Sequence, residues 1–294
     1  VSFSRRTNDV GLILKPEGFQ VDTEATRHAA THWVESWPHW LEEEGCFWEG
    51  HRRPSVVVSD IAPQPFLLAM ALRVPAMAVS NFTWREMYQE LLGEPLLATK
   101  LDAAYREATI ALVPQMGGTL PFSATKAVGW VVRSATRSRQ EIRRSLGVPE
   151  DAPLVYLSFG RAAAGMEKEV LSKGHTPFRL LLTEGTPGPK DALYFPLSDT
   201  KSQDYVAACD LVVSKAGYST IAEAVAGHVS MLLLRRDQVP EDRCSLERIE
   251  GWGFGEGVEE TDLADGLWVE KAVDALVRRD QYNHVYAAAT LDLC

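Results

Sequence analysis

The residues best suited to chemistry stand in one short turn, Ser214, Lys215, Ala216, Gly217, Tyr218, Ser219 and Thr220. An apolar run over residues 211–213 precedes it, a helical pattern over 220–226 follows, and Gly227 closes that helix before a second apolar run at 231–234. Strand, turn, helix, stop and strand within residues 210–234 is a parallel βαβ unit, because so short a crossover returns the chain in the same direction. In an open parallel sheet, ligands gather beyond the carboxyl ends of the strands, where helix starts present unbonded N–H groups. The turn is therefore expected to bind an anion. Ser158-Phe159-Gly160, at the end of the apolar run 154–157, is a second small-residue turn of the same kind.

A single carboxylate, Asp60, follows the β-branched run 55–58, which suits a fully buried parallel strand. At the carboxyl end of that strand Asp60 is either on the ligand rim or the N-cap of a helix over 65–72. His28 and His32 are four residues apart, but the intervening residues are not those of a zinc-protease helix and no third ligand is in view, so no metal is expected. Trp33, Trp37 and Trp40 fall on one face of a helical segment over 23–44. A sugar-stacking platform fits that spacing, and a buried amphipathic face fits it more simply.

Those residues must be carried by a chain of 294 residues, long enough for two domains, with 46% hydrophobic and 24% charged residues. A net charge of −10 argues against nucleic acid as a partner. No apolar run approaches the ~20 residues that span a bilayer. The four cysteines, Cys46, Cys209, Cys244 and Cys294, are scattered without a CxxC, which fits a reduced, cytoplasmic protein. Strands are expected at 10–14, 55–58, 74–79, 110–113 and 130–132 in the first half, with helices at 84–92 and 96–108. After a charged helix at 139–146 ending at Gly147, strands are expected at 154–157, 178–182, 211–213 and 231–234. The expected division is a first domain over 1–138, a linker over 139–153, a second domain over 154–282 and a C-terminal helix over 283–294 that crosses back to the first domain.

Residues 207–223, AACDLVVSKAGYSTIAE, resemble the donor-site signature of GT-B glycosyltransferases of the MurG type. Residues 56–84, VVVSDIAPQPFLLAMALRVPAMAVSNFTW, resemble a bacterial glycosyltransferase-like group whose sequence also occurs fused to some sugar kinases. The likeness spans residues 56–257. It implies an α/β fold of two Rossmann-like domains facing each other across a cleft, with a nucleotide-diphosphate sugar on the second domain and an acceptor on the first.

The resemblance implies a metal-independent, inverting sugar transfer with no cofactor beyond the nucleotide sugar itself, UDP-linked by preference, and a small-molecule or glycan hydroxyl as acceptor. Charge on the departing diphosphate then falls to N–H groups, a helix dipole and a cation. Lys215, Gly217, Tyr218, Ser219 and Thr220 take that role, with Ser158 and Gly160 on the other side. Glu223 matches the carboxylate that binds the donor ribose, and Thr220-x-x-Glu223 is equally a capping box. Arg235, Asp237, Gln238 and Glu241 take the place of donor-sugar contacts, and as an ordinary charged surface loop they would read the same. Asn81 and Trp84 fall on the acceptor side, and Asp60 is the rim carboxylate available as base. The family's N-terminal Gly/His loop is not found in these residues, so either it lies upstream of Val1 or the protein lacks it and is not an ordinary enzyme, and the family's glycine-rich continuation after Gly160 is replaced by Arg161-Ala162-Ala163-Ala164. A nucleotide-sugar-binding module without turnover, and a nucleotide-sugar epimerase, share this architecture. Sugar, base, acceptor and oligomeric state leave no spacing signature.

Overall fold

The computed structural model describes residues 8–16, 18–118, 120–160 and 176–278. The chain forms two compact units, one of Val1–Lys15, Val21–Gly129 and Gln238–Pro240, the other of Pro16–Gln20, Trp130–Asp237 and Glu241–Cys294.

In the first unit, β1 (Val57–Asp60), β2 (Ala76–Val79), β3 (Ile110–Val113) and β4 (Thr125–Ala127) form a parallel sheet in that order. Around it lie α1 (Thr23–Glu35), α2 (Trp37–Glu49), α3 (Gln64–Leu72), α4 (Trp84–Leu92) and α5 (Pro95–Tyr105). The core is built from Phe66, Tyr88, Leu101 and Tyr105, none of which reaches solvent.

Several expectations are corrected here. The helical segment expected over 23–44 is two helices, because Pro38 lacks an N–H and fits only a first turn, so α2 restarts after Ser36. Trp33 and Trp37 are buried and meet edge to face at 5.2 Å, while Trp40 is only partly covered, so this face packs inward. Residues 10–14 form no strand. Gly11 turns left-handed (φ 64°), the Ile13 N–H goes to the Thr26 hydroxyl, and a single antiparallel bridge joins Leu14 to Val21. The strand expected to be fully buried at 55–58 starts at Val57 and lies at the sheet edge, leaving Val56 43% and Val58 59% exposed. Residues 130–132 are not a strand, whereas Thr125–Ala127 is one, too short and too exposed to show an alternating pattern.

In the second unit, β5 (Leu154–Ser158), β6 (Arg179–Thr183), β7 (Leu193–Phe195), β8 (Leu211–Lys215), β9 (Ser230–Leu234) and β10 (Gly255–Val258) form a parallel sheet in the order β10-β9-β8-β5-β6-β7. The buried apolar runs of β5, β8 and β9 make its centre. Helices α6 (Arg139–Ser145), α7 (Ser202–Ala207), α8 (Tyr218–Ala226), α9 (Pro240–Trp252), α10 (Glu260–Asp265) and α11 (Trp268–Val277) accompany it. Gly255 is required by its neighbour, since a Cβ there would stand 2.3 Å from the Met231 carbonyl oxygen.

The stretch expected as a linker, 139–153, opens with α6, started by a Ser138–Glu141 capping box. Arg139 and the fully buried Arg143 both reach Asp210 at the foot of β8, at 2.7 and 3.3 Å, which builds α6 into the second unit. The boundary between units accordingly falls between Gly129 and Trp130. Residues 161–164 and 283–294 lie outside the described residues.

Candidate functional site

Strand order in the second sheet reverses between β5 and β8, the place where open α/β sheets bind ligands. Pairing of Ser158 with Ser214 brings the two candidate turns side by side at the carboxyl ends of these strands. Gly160 closes the β5 turn at φ 78°, a conformation costly for any other residue. Gly217 is the extended N-cap of α8, without a capping side chain. Tyr218, Ser219 and Thr220 are the first three helical residues, so their N–H groups have no intrahelical acceptor. The Lys215 side chain runs between the two turns: a Cβ at Gly160 would lie 3.6 Å, and one at Gly217 3.5 Å, from its Cε carbon. Among the described residues Lys215 makes no ion pair. A cation, a helix start and two glycine turns thus converge on one point, an arrangement that attracts anions.

Helix α8 begins at Tyr218 rather than at Thr220, which removes the capping-box reading of Glu223. Instead the Ser202 hydroxyl donates to Glu223 Oε1 at 2.9 Å, and Arg133 approaches the same oxygen at 3.2 Å. Glu223 Oε2 has no partner among the described residues. Arg133 also donates to the Thr200 carbonyl and the Ser202 hydroxyl. Sequence reasoning missed Arg133 and Ser202, because their partners are 90 and 21 residues away in the chain. Thr200 and Ser202 line a cavity of about 680 Å³ over the ends of β5, β6 and β7, together with Ser158, Gly160, Thr183 and Phe195. That volume lies in the usual range for a small-molecule site.

Residues 130–137 are fastened along this region. Trp130 stacks on Tyr218 at 6.0 Å, and the Val131 N–H donates to the Tyr218 hydroxyl at 2.9 Å. Further on, Thr136 N–H and Arg137 Nε donate to the buried carboxylate of Asp204 at 2.6 and 2.8 Å. Burial pushes that carboxyl up, and these hydrogen bonds outweigh it, holding the pKa at about 2.

The loop after β9 is largely occupied by its own ion pairs. Arg235 binds Glu250 at 2.7 Å and Glu259 at 3.1 Å, and Arg236 and Asp242 form a buried pair at 2.7 Å. Asp237 and Gln238 are exposed, and Glu241 is partly buried in the first turn of α9. In the first unit, Asp60 is not an N-cap, since Pro63 holds that position before α3 and no side chain caps it. Asp60 reaches solvent, yet its surroundings push its carboxyl up, first by desolvation and then through the charge of Asp9. Trp84 packs inward against Tyr88 at 5.2 Å rather than facing solvent, and Asn81 is half-buried. No helix among the described residues is long and apolar enough to cross a membrane.

No family model matches the sequence. Among solved structures, the spinosyn rhamnosyltransferase SpnG aligns with a TM-score of 0.60 at 13% identity, over 90% of this chain and 77% of that one. UGT89C1 of Arabidopsis thaliana aligns with a TM-score of 0.60 at 13% identity, over 95% and 78%. The chain has the GT-B fold. This GT-B chain also resembles glycosyltransferases in sequence. It is 24% identical over 243 residues to an uncharacterized glycosyltransferase, MK0977, of Methanopyrus kandleri, covering 74% of this chain and 68% of that one. It is 28% identical over 203 residues to the UDP-N-acetylglucosamine–N-acetylmuramyl-(pentapeptide) pyrophosphoryl-undecaprenol N-acetylglucosamine transferase of Oceanobacillus iheyensis, covering 63% and 53%. L-arabinokinase of Arabidopsis thaliana is 26% identical over 245 residues, which cover 77% of this chain and 23% of that much longer protein.

Proposed function

We propose that the chain moves a sugar from a nucleotide-diphosphate donor to an acceptor hydroxyl, with inversion and without a metal. The observation that carries this reading is the position of Lys215 between the Gly160 and Gly217 turns, at the open start of α8. The donor diphosphate rests there, held by the N–H groups of Tyr218, Ser219 and Thr220 and by the lysine ammonium. These groups supply the positive charge that a departing diphosphate needs, which is why no cation is invoked. The nucleoside extends into the cavity over β5–β7, and Glu223 Oε2 accepts a ribose hydroxyl. Among proteins of the same fold, SpnG has been crystallised with thymidine diphosphate and with spinosyn aglycone, and the Oceanobacillus relative is named for a UDP-sugar.

In the reaction, the acceptor oxygen attacks the anomeric carbon as its bond to the diphosphate breaks. The bonding pair leaves with the nucleoside diphosphate, and the acceptor proton passes to a base, for which Asp60 is the candidate. A thermal-shift panel of UDP, GDP, TDP and ADP sugars reports donor binding. Release of nucleoside diphosphate with an acceptor mixture then reports transfer. Stabilisation by a donor that is never consumed would point to a binding module, and consumption without an acceptor to an epimerase or hydrolase.

A further inference from the structure

The cavity over β5, β6 and β7 is lined by Ser158 and Gly160 at β5, by residues 184–187 after β6, and by Leu197 and Asp199 after β7. Neighbouring strands stand about 4.8 Å apart, so the wall after β6 and β7 lies roughly 10 Å from the turns of β5 and β8. A nucleotide whose phosphates rest at those turns reaches that wall with its base. The hydrogen-bonding character of the wall is one-sided. The Glu184 N–H donates to the Phe195 carbonyl at 2.9 Å, the Thr186 N–H to the Thr183 carbonyl at 3.0 Å and the Asp199 N–H to the Pro196 carbonyl at 3.0 Å. The Leu197 N–H donates to Glu184 Oε2 at 3.1 Å, and Pro187 has no N–H to offer. Four backbone donors are thus spent inside the loops. Among the described residues the lining holds no lysine or arginine either. The hydroxyls of Tyr156 and Thr183 can donate or accept, so they do not discriminate.

What the wall keeps available is an acceptor. Two carboxylates line the cavity, and their surroundings differ. Asp199 is taken up: its Oδ2 accepts from Arg137 at 2.7 Å and from the Tyr205 hydroxyl at 2.9 Å, and its Oδ1 from the Lys201 N–H at 3.1 Å. Glu184 is not. Its Oε2 accepts from the Leu197 N–H, and its Oε1 has no partner among the described residues. That one bond ties the loop after β6 to the loop after β7 and sets the direction of the carboxylate. Leu197, 64% exposed, and Pro187 add apolar surface to the same lining. A flat ring with donors along one edge suits such a wall, its face against the apolar side chains and its edge toward Glu184.

We infer that Glu184 selects guanine as the base of the bound nucleotide, accepting from the guanine N1–H and 2-amino group. The inference rests on the donor-site reading above and departs from the uracil that the sequence resemblance implies. A carboxylate accepts and has no donor of its own. Guanine presents two adjacent donors on one edge, which a carboxylate meets with two parallel bonds. Uracil and thymine present a single N–H between two carbonyl oxygens, and both oxygens would face the carboxylate charge. Adenine and cytosine present one amino group next to a ring-nitrogen acceptor, enough for a single bond. UDP keeps the phosphate and ribose contacts and binds through them, more weakly than GDP.

The test is calorimetric titration of the full chain, as wild type and E184Q, with GDP, UDP and inosine diphosphate, which keeps the N1–H and lacks the 2-amino group. Wild type is expected to bind GDP roughly 10- to 100-fold more tightly than UDP, the range of a bidentate side-chain–base pair, with inosine diphosphate between them. In E184Q the amide oxygen still accepts from the Leu197 N–H, while the amide NH2 opposes the guanine donors. GDP should then weaken about tenfold or more, on the same scale, and UDP should hold or tighten, because its edge sets an acceptor beside a donor. Equal weakening of all three nucleotides in E184Q makes Glu184 a support for the loops and overturns the inference. Wild-type binding of UDP as tight as that of GDP also overturns it, and leaves sugar transfer from a UDP-linked donor standing. Binding of none of the three overturns the donor site and this assignment with it. A GDP preference that disappears in E184Q, in a chain that consumes no GDP sugar, upholds the choice of base and overturns the transfer.

Discussion

Arg133 Nη2 stands 3.2 Å from Glu223 Oε1, on the oxygen that also accepts from Ser202. Both partners hold the same side of the carboxylate, so Oε2 keeps a fixed direction and remains available. Glu223→Ala should therefore erase any preference for UDP over 2′-deoxy-UDP, a loss of about tenfold if one charge-assisted hydrogen bond of ~1.5 kcal/mol is involved. Calorimetric titration of both nucleotides into wild type and variant checks this, and an unchanged preference would remove Glu223 from the ribose.

Lys215 has no ion pair to lose among the described residues. Lys215→Met should weaken UDP binding by roughly 10- to 100-fold, on the ~1.5–3 kcal/mol scale of hydrogen bonds to charged groups. Its thermal unfolding should stay close to that of wild type. The salt dependence of UDP affinity should also become shallower, because the screened charge is gone.

The two glycines of the cradle should respond differently to alanine. Gly160, at φ 78°, pays for a side chain in backbone conformation, about 1–2 kcal/mol of stability. Gly217 has φ −79°, which alanine accepts, and its Cβ would stand 3.5 Å from Lys215 Cε, an ordinary van der Waals contact. Gly217→Ala should thus keep its melting temperature, and lose nucleotide affinity through the methyl group it sets where a phosphate would approach the backbone, as separate thermal and calorimetric measurements can show.

Asp204 fastens residues 136–137 to α7, and its carboxyl is held down to about 2. A depressed folded-state value means stability that is fully present above the ordinary aspartate range near 4 and is lost as the pH falls toward 2. Urea denaturation at pH 5 and pH 3 should show wild type losing more stability than Asp204→Asn over that interval. Asp204→Ala should cost about 1.5–3 kcal/mol at pH 7, the scale of the hydrogen bonds lost with its carboxylate, while Arg137 keeps Asp199 at 2.7 Å.

The apolar runs over 154–157, 211–213 and 231–234 were readable as buried parallel strands because nothing polar interrupts them, and each is found in the centre of its sheet. The strand–turn–helix around Gly217 was equally plain, since small residues and a stop glycine leave few alternatives. Less legible were α9 and β10, where charged residues and glycines mask the pattern. The edge position of β1 was hidden as well, because burial depends on neighbours that a local window does not contain.

By itself, then, the sequence determined the alternating α/β elements and the small-residue turns, because hydrophobic period and glycine placement act over a few residues. Tertiary structure decided which turns meet: strand order set Ser158 beside Ser214 and Lys215 between two glycines. It also decided that Arg133 and Ser202 hold Glu223. Those relations join residues tens of positions apart, and only the packing of whole elements brings such groups within hydrogen-bonding or Coulombic range.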